Sequence, residues 1–349
     1  MSNRTADELL KWGLRNAPVS EDGSSSVAQV AADVAAGRRP DLADPGLYDA
    51  IMGKSEAQMM QEELSVAVDT TRTVEDRCTA LDNFEMLIEQ VDNANNMESM
   101  RMWPAVIALL RAAEPEIQMA AAWIVGTAVQ NNDKAQAIAL GHGVLHTLLP
   151  LLTAPRTDVR NKGVYALSAM LKHYAAAVQQ FGEMDGWSKI RVALDTEHLG
   201  VRRKLVFLLN QLILQTHDEP AKAVPPPPPN NVHLPAPHEE VPATMRDGVT
   251  HPPVAQILVD TGLVSTILDS LAPVQTDPLP SIALCQGQPV RDDDDYLEKA
   301  VQVILTLLSQ SPPPSPLPVE QLQQLAHLVS GTRATELGLD TQPLRAYLG

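Results

Sequence analysis

A spacing of 42 residues recurs along this chain. A repeat of that length restricts the fold more than any other feature, because a unit so short cannot bury an apolar face alone and must stack on its neighbours. Trp123, Tyr165 and Phe207 stand at this interval, as do Ile117, Val159 and Val201, then Val125, Leu167 and Leu209, and again Val129, Leu171 and Ile213. Phe84, 39 residues before Trp123, opens the series in the run Cys78 to Val91. Within one unit Ile117, Ala121, Ile124 and Ala128 follow the i, i+4, i+7, i+11 stripe of an amphipathic helix. A closing helix is signalled by glycine followed by leucines: GVLHTLLPLL from Gly143 matches GLVSTILDSL from Gly262.

Stacked helical units of about 40 to 47 residues are the armadillo and HEAT architecture. The expected fold is therefore all-α, an armadillo/HEAT-like α-solenoid superhelix over 46–349, preceded by a flexible arm over 1–45. The arm carries a short amphipathic helix over 6–17, with Leu9, Leu10, Trp12 and Leu14 at helical spacing and Pro18 as its stop. The fourth unit is interrupted. Its long helix, Val201 to Gln215, and its closing helix, Gly262 to Leu271, are separated by a proline-rich insertion over 218–253 in which Pro225 to Pro229 exclude helix. A second proline-rich loop covers 311–318, and the acidic run Asp292 to Asp295 suits the start of a last long helix over Tyr296 to Ser309.

Charge and motifs narrow the function. With 26 Lys and Arg against 43 Asp and Glu the formal net charge is -17, which excludes a basic nucleic-acid footprint. Mean hydropathy is -0.09 and no apolar run approaches the roughly 18 residues of a membrane span, so no membrane partner is expected. Cys78 and Cys285 are isolated and the N-terminus lacks an apolar targeting core, so a reducing, cytoplasmic setting is expected, in which the Asn3-Arg4-Thr5 sequon stays idle. No GxxxxGK[ST], GxGxxG, GxSxG or HExxH string occurs, so the common phosphate, dinucleotide, hydrolase and zinc signatures are missing; neither a catalytic residue nor a cofactor is assigned.

His142 and His146 share a helical face but have no acidic or cysteine companion, and they read as helix-start residues rather than metal ligands. Cys78 and Cys285 read as packing, and Asp292 to Asp295, lacking the glycine and closing glutamate of a calcium loop, as a solvated helix start. The aromatic column Phe84, Trp123, Tyr165 and Phe207, flanked by apolar residues, reads as core rather than as a binding ladder. The proline tracts are either ligands for SH3-type domains or spacers. In so acidic a chain the grouping of cations is selective. Arg160 and Arg202 share a repeat column, as do Lys162 and Lys204, with Arg203 and Lys172 close by; they form either a strip that guides an acidic partner or a solvated helix face. Asparagines gather where the long helices end, Asn93, Asn95 and Asn96 in the first unit and Asn131 and Asn132 in the second, as caps or as amides for a partner backbone.

The strings LLKWGLRNA (Leu9 to Ala17), ALDNFEMLIEQVDNANN (Ala80 to Asn96), GTAVQNN (Gly126 to Asn132) and DVRNKGVYALSAM (Asp158 to Met170) resemble the armadillo-type nucleotide exchange factors of the Fes/HspBP family, which serve the cytosolic seventy-kilodalton heat-shock chaperone. The resemblance implies a monomeric co-chaperone without chemistry of its own, whose concave side grips one lobe of the chaperone's ATPase domain and lets ADP leave. By the same resemblance, the arm around Leu9, Leu10, Trp12 and Leu14 mimics a chaperone substrate and helps clients leave. The partner-binding residues it implies are Ala94, Asn95, Asn96, Asn131, Asn132, Lys162, Arg202 and Lys204, small Ala94 being needed for close approach. The competing readings are a generic armadillo scaffold that binds extended peptides and an enzyme with an unrecognised site. The first is disfavoured because Trp123 alone puts a tryptophan in the aromatic column.

Overall fold

The computed structural model describes residues 54–196, 198–215 and 249–349. The chain divides into two compact units, Met1–Glu63 and Leu64–Gly349. Residues 54–63 are the described part of the first, where α1 (Glu56–Val68) begins; the arm helix expected over 6–17, with Leu9, Leu10, Trp12 and Leu14, lies outside the described residues, as does most of the proline-rich insertion.

The second unit is a stack of helices. In order these are α2 (Val74–Ile88), α3 (Val91–Ser99), α4 (Trp103–Leu109), α5 (Pro115–Val129), α6 (Asp133–Gly141), α7 (Val144–Leu148), α8 (Thr157–Leu171), α9 (Ala175–Glu183), α10 (Gly186–Leu194), α11 (Leu199–Gln215), α12 (Val254–Asp260), α13 (Leu263–Ser270), α14 (Asp294–Leu308), α15 (Val319–Leu328), α16 (Thr332–Glu336) and α17 (Gln342–Leu348). The long helices α2, α5, α8, α11 and α14 pack each on the next, and two shorter helices fill each interval before α11. Further along, α12, which is not among the helices expected from the sequence, precedes α13, which stands where the closing helix Gly262 to Leu271 is expected. A two-residue hairpin, β1 (Leu284–Cys285) and β2 (Gln288–Pro289), then precedes α14.

Local chemistry sets the ends of these helices. The Thr73 hydroxyl accepts the Asp76 N–H, the Asn132 amide oxygen that of Ala135 and the Asp293 carboxylate that of Tyr296, each satisfying a donor that the first helical turn leaves open. The glycine expectation holds at Gly143 and Gly262, whose φ values of 73° and 74° turn the chain into α7 and α13. The same left-handed turn is made by Asp185 (φ 58°), one residue ahead of Gly186 at the start of α10, and by Arg101 (φ 56°) before α4, which no glycine precedes.

Counted from the first residue of each long helix, equivalent positions form rows. Ten residues in stand Phe84, Val125, Leu167, Leu209 and Ile304, all buried. Eight residues in stand Asp82, Trp123, Tyr165, Phe207 and Gln302, each at least partly open to solvent. Phe84 therefore belongs to the core row and not to the aromatic one. The reading of Trp123, Tyr165 and Phe207 as core is also corrected, since Trp123 and Tyr165 are half-buried and Phe207 is 48% exposed. In a third row, three residues in, α2, α5 and α11 are each tied to the segment before them. Arg77 Nε donates to the Ala67 carbonyl at 2.8 Å, Gln118 Nε2 to Ala112 at 2.8 Å and Arg202 Nε to Thr196 at 2.6 Å. These buried carbonyls would otherwise lack donors.

Candidate partner-binding site

The exposed row centres on Trp123. Lys162 Nζ, one helix along, sits 3.2 Å from the centroid of the indole and 5.7 Å from that of the Tyr165 ring, within reach of the attraction between a cation and an aromatic face. Tyr165 OH donates to Gln130 Oε1 at 2.8 Å, and Thr127 Oγ1 donates to Glu85 Oε1 at 2.6 Å, joining α2, α5 and α8. Gly126 permits this arrangement: a Cβ there would overlap the Tyr165 ring. Glu85, Glu89, Trp123, Thr127, Gln130, Asn131 and Tyr165 line a shallow depression of about 320 Å³.

Beyond Tyr165 the face continues with Phe207 and with Lys204, whose ammonium donates to Asn161 Oδ1 at 3.1 Å. Burial holds the ammonium groups of Lys162 and Lys204 below the ordinary lysine range; at Lys162 Glu85 and Asp82 oppose the shift, while the charge of Lys204 adds to it. Among the described residues neither ammonium has a carboxylate at ion-pair distance, although Arg156, Arg203 and Lys299 all have one. Aromatic rings beside unpaired cations suit the face to bind a protein surface; among the described residues no group of three metal-ligating side chains comes together.

The structure separates the residues expected to bind a partner. Lys162, Lys204 and Asn131 are on or beside this face, and Asn131 holds the left-handed conformation (φ 52°) just past the end of α5. Arg202 is not on it. Its side chain is 1% exposed, and besides Thr196 its guanidinium donates to the carbonyls of Ile282 at 2.6 Å and Leu284 at 3.1 Å, so Arg202 is an internal brace; among the described residues Arg160, in the same repeat column, reaches only Thr157 of its own helix. Asn132 is likewise corrected: it is buried, its amide capping α6 and donating to Ala128 O at 3.3 Å. Ala94 is 2% exposed, packed inside rather than offered for close approach. Of its neighbours on α3, Asn96 is exposed and Asn95 is half-buried with its side-chain oxygen unpartnered; neither lines the depression. Asn93 donates to Leu87 O at 2.8 Å.

Among the weaker signals, His142 Nε2 lies 2.9 Å from Glu98 Oε2. Cys285 is buried and Cys78 half-buried, and burial together with Asp82 and Glu116 pushes the Cys78 thiol up, away from reactivity. Sequence reasoning missed Glu85, Thr127, Gln130 and Asn161, which carry no repeat signal. It also missed Lys299, which stands five residues into α14 as Lys162 and Lys204 stand five residues into α8 and α11. Distance from the helix start is the signal that finds it; the insertion breaks the 42-residue count.

Comparison with known proteins agrees with this architecture. The family model for the nucleotide exchange factor Fes1 matches residues 6–97, and that for the SIL1/FES1/HPBP1 C-terminal domain matches residues 93–226. The Hsp70 nucleotide exchange factor FES1 of Mycosarcoma maydis is 51% identical over 340 residues, covering 92% of this chain and 87% of that protein. The chain belongs to the Fes1 family. The Hsp70 nucleotide exchange factor FES1 of Cryptococcus neoformans is 38% identical over 207 residues, 56% of this chain and 54% of its own. A designed armadillo repeat protein in complex with the peptide (KR)4 superposes with a TM-score of 0.54 at 14% identity, covering 85% of this Fes1 family member and all (100%) of that chain. A second designed armadillo repeat protein gives 0.52 at 14%, covering 84% and 98%. At such identity these two show the fold alone: an armadillo-like α-solenoid.

Proposed function

We propose that this protein is a nucleotide exchange factor for an Hsp70 chaperone: it binds the chaperone's ATPase domain through the face bearing Trp123, Lys162, Tyr165, Lys204 and Phe207, and so speeds the loss of ADP. The observation that carries the reading is this solvent-open run of aromatic rings and ammonium groups without carboxylate partners over the successive long helices α5, α8 and α11 of a Fes1 family member. The names of the relatives from Mycosarcoma maydis and Cryptococcus neoformans supply the partner. The protein acts as a monomer in the cytoplasm, with no cofactor and no reaction of its own.

The physics is a shift of population. A partner accelerates release only if it binds the open nucleotide cleft better than the closed one, and each 1.4 kcal/mol or so of that preference moves the equilibrium about tenfold. A scaffold that is to hold the cleft open must not yield first. Bonds between successive units resist such yielding: Gln136 Nε2 donates to the carbonyls of Ala169 at 2.8 Å and Lys172 at 2.9 Å, and the His173 N–H donates to Gln215 Oε1 at 3.0 Å. The N-terminal arm, through Leu9, Leu10, Trp12 and Leu14, occupies the chaperone's client site and assists client release.

The test loads an Hsp70 with fluorescent ADP, adds this protein and follows release by stopped flow with excess unlabelled ATP. Faster release supports the reading, and an unchanged rate refutes it. Removal of residues 1–45 should leave ADP release intact and slow the release of a bound client peptide. A generic peptide-binding scaffold would instead bind extended peptides without affecting ADP.

A further inference from the structure

The exposed face changes its sign of charge along the stack. At the α2 end Asp82 and Glu89 are exposed with no cation at ion-pair distance among the described residues, and Glu85 stands beside them with one oxygen held by Thr127. Next along, Trp123 and Thr127 on α5 and Gln130 just past its end are uncharged, and the nearby Glu116 of α5 is paired with Arg156. On α8, α11 and α14 it carries Lys162, Lys204 and Lys299 in one row. Lys162 is held by an indole and Lys204 by an amide, neither of which neutralises a charge; Lys299 shares Asp295 with Arg203. Helices packed side by side lie roughly 8–10 Å apart, so the ends of a five-helix stack are separated by about 30–40 Å. Salt screens charges over about 8 Å, so Lys204 and Lys299 act on what lies opposite them and not on the α2 end, whereas Lys162, reaching back over Trp123, also feels Asp82 and Glu85.

We infer that this face is a polarised docking surface which fixes the orientation of its partner: a protein face presenting carboxylates to Lys162, Lys204 and Lys299 and cations to Asp82 and Glu89. Resting on the exchange-factor reading, the inference assigns these two patches to the Hsp70 ATPase domain. The neutral aromatic middle, Trp123, Tyr165 and Phe207, supplies apolar contact; the charged ends select one direction of docking, because the reversed pose sets like charges face to face. The overall charge of -17 predicts something different: a wholly acidic chain gains from any added cation when it meets an acidic partner.

Binding of the full-length protein to an Hsp70 ATPase domain, measured by calorimetry at low and high salt, separates these cases. The variants are Lys204→Glu with Lys299→Glu, Asp82→Lys with Glu89→Lys, and Lys189→Glu on α10 as a control with no place on the face; circular dichroism checks the helicity of each. The polarised surface requires both double variants to weaken binding at low salt, by about tenfold each, with the loss shrinking at high salt and the control unchanged. Tighter or unaltered binding of Asp82→Lys/Glu89→Lys overturns the polarity, and unaltered binding of Lys204→Glu/Lys299→Glu overturns the basic end. Wild-type protein that binds without speeding ADP release overturns the exchange reading alone, whereas wild-type protein that does not bind overturns both.

Discussion

Replacing Arg202 by methionine removes a guanidinium while keeping the length of its aliphatic stem, so it isolates what the head group does. In the structure that head group supplies three donors to three carbonyls, Thr196, Ile282 and Leu284, and thereby fastens the segment before α14 to α11 across 80 residues of sequence. Each buried carbonyl deprived of its donor costs about 1 kcal/mol or more, and bonds from a charged donor lie at the upper end, so the loss comes to about 3–5 kcal/mol. In a solenoid each unit touches only its neighbours, and the loss should therefore appear locally rather than as uniform unfolding. Hydrogen exchange followed by mass spectrometry is the assay. A cost of about 3 kcal/mol corresponds to a rise of about two orders of magnitude in the opening of residues 281–292, with α5 and α8 nearly unchanged. Protection that stays at the wild-type level in that segment would refute the internal brace. If chaperone binding were lost at the same time, Arg202 would return to being a partner contact.

Gly126→Ala places a methyl group into the Tyr165 ring; the ring must shift and give up its bond to Gln130, which should cost about 1–3 kcal/mol in urea unfolding, and an unchanged midpoint would show that the ring yields freely. Ala94→Arg forces a charged side chain into a site that is 2% exposed, so the melting temperature should fall along with any binding; a wild-type melt accompanied by lost binding would restore Ala94 to the partner surface. Lys162 and Lys204 should titrate below the ordinary lysine value of 10.5 in side-chain NMR, since burial disfavours their charged forms. The sign follows: their contribution to folding improves as pH rises through the folded-state values toward 10.5, while affinity for an acidic partner declines over the same range. Midpoints at or above 10.5 would remove the burial argument.

What the sequence by itself determined is what depends on local order: helices from apolar spacing, their stacking from the 42-residue repeat, a last long helix after the acidic run Asp292 to Asp295, though it begins at Asp294 rather than Tyr296, and the turns at Gly143 and Gly262. Periodicity finds columns, but it does not say which way a column faces, because Trp, Tyr and Phe satisfy a core and a binding surface equally well. Tertiary structure decided that, turning Phe84 inward and Phe207 outward. It also reversed the meaning of polar residues. Arg202 and Asn132 read as surface cation and amide, yet backbone groups in need of partners drew both inside, whereas Lys162 and Lys204 kept their charges on the face with no carboxylate to meet them. Lys299 joined them only in three dimensions, since packing aligns helices by their starts and is indifferent to the length of chain inserted between them.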